Sequence, residues 1–168
     1  QTIEKVIALR PDTVRIHPTL VLRDTALAEA FREGRYTPLT LAEAVDLCKN
    51  ALKKLTNAGI PVIRLGLQTT RELEEPGAVV AGPFHPALRA LGESAIYLEM
   101  AASLLTAAGP GERAVTFALA PADVSNFRGQ RRENIAALKE RFNLADIRVT
   151  ADPALPRHTL ILTAGSRQ

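Results

Sequence analysis

The sequence predicts an α/β chain in two parts, and three observations carry that prediction. An apolar strand at 13–22, a capped helix opening at Thr40 and a second strand at 60–68 follow one another, an order that argues for a right-handed crossover and a parallel sheet. A long helix at about 86–107 then runs into "AAGPGE" (107–112), the best boundary in the chain. Beyond it the order is strand, short helix, glycine loop, helix, strand, strand, which suits a small α+β subdomain.

Each element has a local reason. Ile3, Val6 and Ile7 share one helical face that Pro11 stops. In "TVRIHPTLVL" (13–22) Val14 and Ile16 alternate with polar residues before an apolar run, and Pro18 marks an edge, a bulge or the strand's end. Thr25–Glu33 reads as a short helix closed by Gly34. Thr40 and Glu43 form a capping box for a helix whose apolar face is Leu41, Ala44, Val45, Cys48, Leu52 and Leu55. "IPVIRLGLQ" (60–68) is a strand, and the Pro- and Gly-punctuated stretch 69–86 is a loop. The following helix has a stripe of Leu88, Leu91, Ala95, Leu98, Ala102 and Leu105. Strands at 113–121, 147–152 and 157–163 frame helices at 122–127 and 134–142, the second capped by Asn134. The domain division that follows is 1–83, a connecting helix at 84–109, and 110–168.

Composition narrows the function classes. The chain is 46% apolar but only 4% aromatic with no Trp, so its core is aliphatic. No apolar run reaches membrane-spanning length, and the N-terminus carries no basic stretch followed by an apolar core, so neither a membrane span nor a secretory leader is expected. One cysteine cannot form an internal disulfide, which fits a reducing cytoplasm. A net charge of +3 permits nucleic acid as a partner without demanding it. The three histidines are far apart and make no zinc spacing; His85, in "GPFHP", reads as a helix-entry residue. No serine sits in a nucleophile elbow, and "RELEEP" reads as a solvated turn. Because the chain begins with Gln inside a helical pattern, an upstream portion is expected.

In "NFRGQRRENI" (126–135) a glycine lies among three arginines, with Ile135 six residues after it. With the element order around it, this segment resembles a K homology RNA-binding module, in which a G-x-x-G loop joins two helices. Gly129 holds the first glycine position and Arg132 replaces the second. The resemblance implies backbone approach to a nucleotide chain at Gly129, with Arg128, Arg131 and Arg132 adding fork-shaped phosphate ligands. The competing reading is a helix cap beside a solvated basic face.

A broader resemblance spans nearly the whole chain. "RPDTVRIHPTLVLRDTALAEAFREGRYTPLTLAEAV", "AGIPVIRLGLQTT" and "GPFHPALRALGES" resemble the C-terminal half of bacterial radical SAM proteins related to the Elongator catalytic subunit. The resemblance implies the last strands and helices of a partial β/α barrel, followed by the K homology-like α+β subdomain. It implies a parent enzyme with S-adenosylmethionine and a 4Fe–4S cluster on a C-x3-C-x2-C motif. This sequence has only Cys48, so no cofactor is expected in this chain alone and no catalytic residue is assigned.

Barrel ligands gather at the C-terminal ends of strands. The resemblance therefore makes Arg64, Leu65, Gly66, Leu67 and Gln68 cofactor-side candidates. His17, Arg35 and Tyr36, with Arg128, Gly129, Arg131 and Arg132, are substrate or RNA candidates; Thr19 lies on the same strand end as His17. Gly66 either admits a cofactor to the backbone or makes a tight packing contact. The expected partners are an N-terminal radical SAM half, tRNA or another RNA, and a second copy through an exposed barrel edge. A stand-alone RNA-binding module and a porphyrin-type small-molecule substrate are the alternatives.

Overall fold

The computed structural model describes residues 2–68, 70–109 and 113–164. It divides into two units, Gln1–Gly92 and Glu93–Gln168. The expected boundary turn at 107–112 falls partly on 110–112, outside the described residues.

The first unit is built on a parallel strand pair. Strand β1 (Val14–Ile16) pairs with β3 (Val62–Leu65), with Arg15 opposite Arg64 and Ile16 opposite Leu65. Between them lie β2 (Val21–Leu22), α2 (Ala26–Arg32) and α3 (Leu41–Asn57), while α1 (Thr2–Leu9) precedes them. The α2 N-terminus is set by Thr25, whose hydroxyl donates to Leu22 O at 2.7 Å and accepts from Ala28 N. Thr40 and Glu43 form the expected capping box of α3. That helix buries Ala44, Cys48, Ala51, Leu52 and Leu55, while Leu41 is exposed and Val45 half-buried. The half-buried residues of α1 are Ile3, Val6 and Ile7, the expected face.

Two expectations for this unit are corrected. The single strand at 13–22 is two, because the chain turns aside at His17–Leu20 and β2 joins another sheet. Proline lacks the N–H that a continuous ladder needs at position 18. The stretch 69–86 is not all loop. It holds α4 (Arg71–Glu74) and β4 (Val79–Ala81), which pairs antiparallel with β2. Three residues are too short for alternation to show in sequence. Among the described residues there are two two-stranded sheets here and no closed barrel.

The second unit has a three-stranded sheet in the order β6 (Asp146–Ala151), β5 (Ala114–Leu119), β7 (Leu160–Ala164). β6 runs parallel to β5 and β7 antiparallel to it. Parallel pairing needs a crossover, supplied by α6 (Val124–Arg128) and α7 (Glu133–Phe142). Val115, Phe117 and Leu119 alternate into a core with Ile135 and Leu138. Phe127 sits at its centre, with ring centroids 5.0 Å from Phe117 and 6.3 Å from Tyr97.

Helix α5 (Leu88–Ala108) buries Leu88, Ala102 and Leu105 of the expected stripe, and its buried face is wider than that stripe. In this unit it buries Ser94, Tyr97, Ala101, Ala102 and Leu105, while Ala95 and Leu98 are half-buried. Glu93 and Ser94 can be buried on this face because they are hydrogen-bonded there. Glu93 accepts from Asn126 Nδ2 at 2.5 Å, and Ser94 accepts from Asn134. Asn134 therefore corrects a second expectation. It does not cap α7 but is buried, its amide reaching Ser94 O, Ser94 Oγ and Phe127 O at 2.9–3.1 Å.

Asp123 is fully buried and ties the β6–β7 turn to the helix side. Its carboxylate accepts from Arg157 Nε at 2.8 Å, Arg157 Nη2 at 2.7 Å and the His158 amide at 2.8 Å. The buried Tyr97 hydroxyl faces the same carboxylate without completing an aligned hydrogen bond. Burial, then the Asp123 carboxylate, pushes that phenol up. Burial pushes Asp123 up too, but the Tyr97 hydroxyl, the His158 amide and Arg157 together outweigh it and hold the carboxyl below its ordinary value.

This sets a sign for acid unfolding. A carboxyl with a depressed folded-state pKa contributes fully above the ordinary carboxylate range, and the contribution is lost as pH falls through the folded value. Asp123→Asn leaves Arg157 without its partner and is expected to cost about 3 kcal/mol at neutral pH. Urea unfolding from neutral pH down to below about pH 4 checks it: the variant starts less stable and loses less on acidification. Parallel pH profiles would show that Asp123 carries no such contribution.

Candidate functional site

The candidate residues fall into two groups, one in each unit. In the first unit the parallel pairing of β1 and β3 sets their C-terminal ends side by side. His17 Nδ1 lies 3.0 Å from Gly66 O, and Gly66 N donates to Ile16 O at 2.9 Å. A carbonyl only accepts, so Nδ1 of the exposed His17 carries the proton of this bond. Gly66 has φ +88°, and a Cβ there would stand 3.4 Å from Leu88 Cβ. The close approach it provides in this structure is therefore to Leu88.

Around this strand end, Pro18, Leu20, Leu67, Phe84 and His85 line a small dimple with room for about one water molecule. His85 acts at the helix entry, accepting from Ala87 N through Nδ1 at 3.1 Å. Arg64 and Gln68 are exposed and bonded to each other at 2.8 Å, Leu67 is exposed, and Leu65 is buried. Arg15, also exposed, stands in register with Arg64, so two like charges share one row of the sheet. Arg15 was not among the sequence candidates; only the pairing register puts it beside Arg64.

The structure thus brings His17 together with the 64–68 segment. Arg35 is not brought there: its guanidinium is paired locally with Glu33, with Nε 2.6 Å from Oε2. Tyr36 is half-buried, its amide donating to Ala30 O at 3.2 Å. Cys48 is buried on α3, and burial pushes its thiol up, the behaviour of a packing residue. Among the described residues no group of three or more His, Cys, Asp or Glu is placed to hold a metal ion. The donors of a 4Fe–4S cluster are therefore not among them. No helix among the described residues is long and apolar enough to cross a membrane.

In the second unit the loop between α6 and α7 has an unusual backbone. Gly129 has φ 74° and ψ 172°, a region that only glycine adopts readily. Arg131 and Arg132 are both left-handed, at φ 49° and 64°. Left-handed arginine is uncommon, and two in succession are strained. Arg132 thus adopts a left-handed conformation that glycine takes more readily. Arg128, Arg131 and Arg132 are all exposed, and none of their guanidinium groups has a hydrogen bond or ion pair among the described residues. Three free guanidinium groups within five residues can bind an anion with repeated negative charge.

Gly129 itself is less open than the pattern suggests. A Cβ there would meet Glu133 Cγ at 2.8 Å and Asn134 N at 3.2 Å, so neighbouring protein atoms already fill the space over it. The Gln130 amide donates to Glu133 Oε1 at 3.3 Å and Arg132 N to Gly129 O at 3.2 Å. Glu133 was not among the sequence candidates, although its position directly after "RGQRR" was visible.

Comparison with known families matches residues 11–99 to the Radical_SAM C-terminal domain. That stretch covers more than half of the chain and holds His17, Arg35, Tyr36 and the 64–68 segment; the arginine loop lies beyond it. No curated protein matches the chain.

The crowding at Gly129 gives a direct test. Gly129→Ala introduces a Cβ into both a glycine-only backbone region and an occupied space, and is expected to cost about 1–3 kcal/mol of second-unit stability. Chemical denaturation followed by a probe in that unit measures it. Wild-type stability in the variant would show that the loop relaxes freely and that glycine is not required there.

Proposed function

Because the chain belongs to the radical SAM C-terminal domain family, we propose that it is the C-terminal portion of a radical SAM iron–sulfur enzyme that acts on RNA, with tRNA as the substrate class. In that family a 4Fe–4S cluster supplies the electron that cleaves S-adenosylmethionine to a radical. The cluster donors are assigned to a part of the enzyme outside this sequence, because Cys48 is a lone, buried thiol.

What this chain contributes is the wall and the grip. β1 and β3 pair only with each other among the described residues, so each keeps an open edge. Ile63 on β3 is 53% exposed. We assign these edges to the cluster-bearing part of the enzyme, or to a second copy of this chain when that part is absent. His17 and the 64–68 segment, at the ends of the two strands, then face the reaction side. The relation to the Elongator catalytic subunit rests on the Gly-Arg-Tyr turn at 34–36 and the Arg-Leu-Gly-Leu-Gln segment at 64–68.

The observation that carries the RNA reading is the set of unpartnered arginines 128, 131 and 132 on a strained loop between two helices. The order strand, helix, loop, helix, strand, strand supports a K homology-like assignment of this unit. A second reading, RNA binding without catalysis, is favoured by the loop's place beyond the matched residues.

Salt dependence tests the RNA reading. Each phosphate contact to a single strand contributes about 0.7 to the slope of log affinity against log salt. The Arg128→Ala, Arg131→Ala, Arg132→Ala triple variant is thus expected to bind tRNA more weakly, with a slope shallower by about 2. A slope equal to that of the wild type would remove the arginines from the interface.

A further inference from the structure

We propose that Glu133 is an intramolecular occupant of the anion position in the arginine loop, so that an RNA backbone gains the loop only by displacing this carboxylate. The inference rests on the RNA reading above and concerns how that site is regulated.

Two independent features place Glu133 there. Its Oε1 accepts from the Gln130 amide, the bond a phosphate oxygen would make to use that donor. Its Cγ lies against the bare Cα of Gly129, filling the space where a glycine loop would admit a nucleotide chain. One side chain therefore blocks both the amide and the close approach.

The arginines fit occupancy rather than neutralisation. Arg128, Arg131 and Arg132 all lie within five residues of Glu133, yet none pairs with it. A surface carboxylate whose role was charge balance would take one of these guanidinium groups. Glu133 bonds a neutral amide instead, through one long contact from an exposed side chain. Such a bond is easily exchanged for water or a ligand. The arginines stay free to attract a polyanion, which then competes with Glu133 for the Gln130 amide. The result is a loop that attracts RNA at long range and resists close seating, which suits a substrate that must be released.

The test is the affinity of short oligouridylate at fixed salt for the wild type, Glu133→Gln and Glu133→Ala. Removing a competing surface charge is expected to tighten binding about two- to fivefold in Glu133→Gln. Glu133→Ala, which also clears the space over Gly129, is expected to gain more. The sign separates occupancy from bracing, since a glutamate that merely braced the loop would lower affinity when removed. A larger gain in Glu133→Ala than in Glu133→Gln separates occupancy from the loss of a negative charge alone, which both variants share. Hydrogen exchange at the Gln130 amide gives a second readout, faster in free Glu133→Ala than in free wild type and slowed again by RNA. A variant with altered loop exchange beyond residue 130 is set aside for Glu133→Gln, which keeps the side chain's size. If the wild type binds and both variants bind equally or more weakly, the inference falls and the RNA reading stands. If no form binds, both fall.

Discussion

Each unit is organised by one parallel strand pair, β1 with β3 and β5 with β6. Parallel strands cannot be joined by a tight turn, so the chain between them must travel back along the sheet. In the first unit that return path is mainly α3, and its cost is met by burying Ala44, Cys48, Leu52 and Leu55. In the second it is α6 and α7, with the arginine loop at the bend between them. The functional residues follow from this geometry. His17 and Gly66 meet because parallel strands end at the same side, although 49 residues separate them. The arginine loop exists because a two-helix crossover needs a corner.

That corner is held by buried polar groups rather than by apolar packing alone. The Asn134 amide binds acceptors on α5 and α6, fixing the first turn of α7 beside the loop. Asp123 does the same for the β6–β7 turn through Arg157 and His158. Buried polar groups are costly unless satisfied, so each admits few arrangements of its partners. A loop carrying two left-handed arginines needs such anchoring, since strain persists only where surrounding structure over-determines the backbone.

Most of the helices and the crossover of the first unit were legible in the sequence, and so was the family. The Thr40–Glu43 box, the Ile3–Val6–Ile7 face and the Gly129 turn are local signals, resolved within one or two helical turns. The site was legible only as separate residues. Arg64 and His17 could be named as strand-end groups, but Arg15 enters only through register. Glu133 is adjacent in sequence to the loop it fills, yet nothing in a string of residues says that its side chain folds back over Gly129.

Sequence alone therefore determined the α/β alternation, the membership in a family and the basic loop, because periodicity, caps and spaced motifs act over short distances. The expected aliphatic core was not borne out in the second unit, where Tyr97, Phe117 and Phe127 are the largest buried side chains. Tertiary structure decided three other things. It split 13–22 into strands of two sheets, widened the buried face of α5 to take in Glu93 and Ser94, and turned Asn134 from a cap into an internal tie. The physical reason is common to all three. Each depends on satisfying backbone or side-chain hydrogen bonds with partners distant in sequence, and a one-dimensional pattern shows which residues want a partner without showing which partner they get.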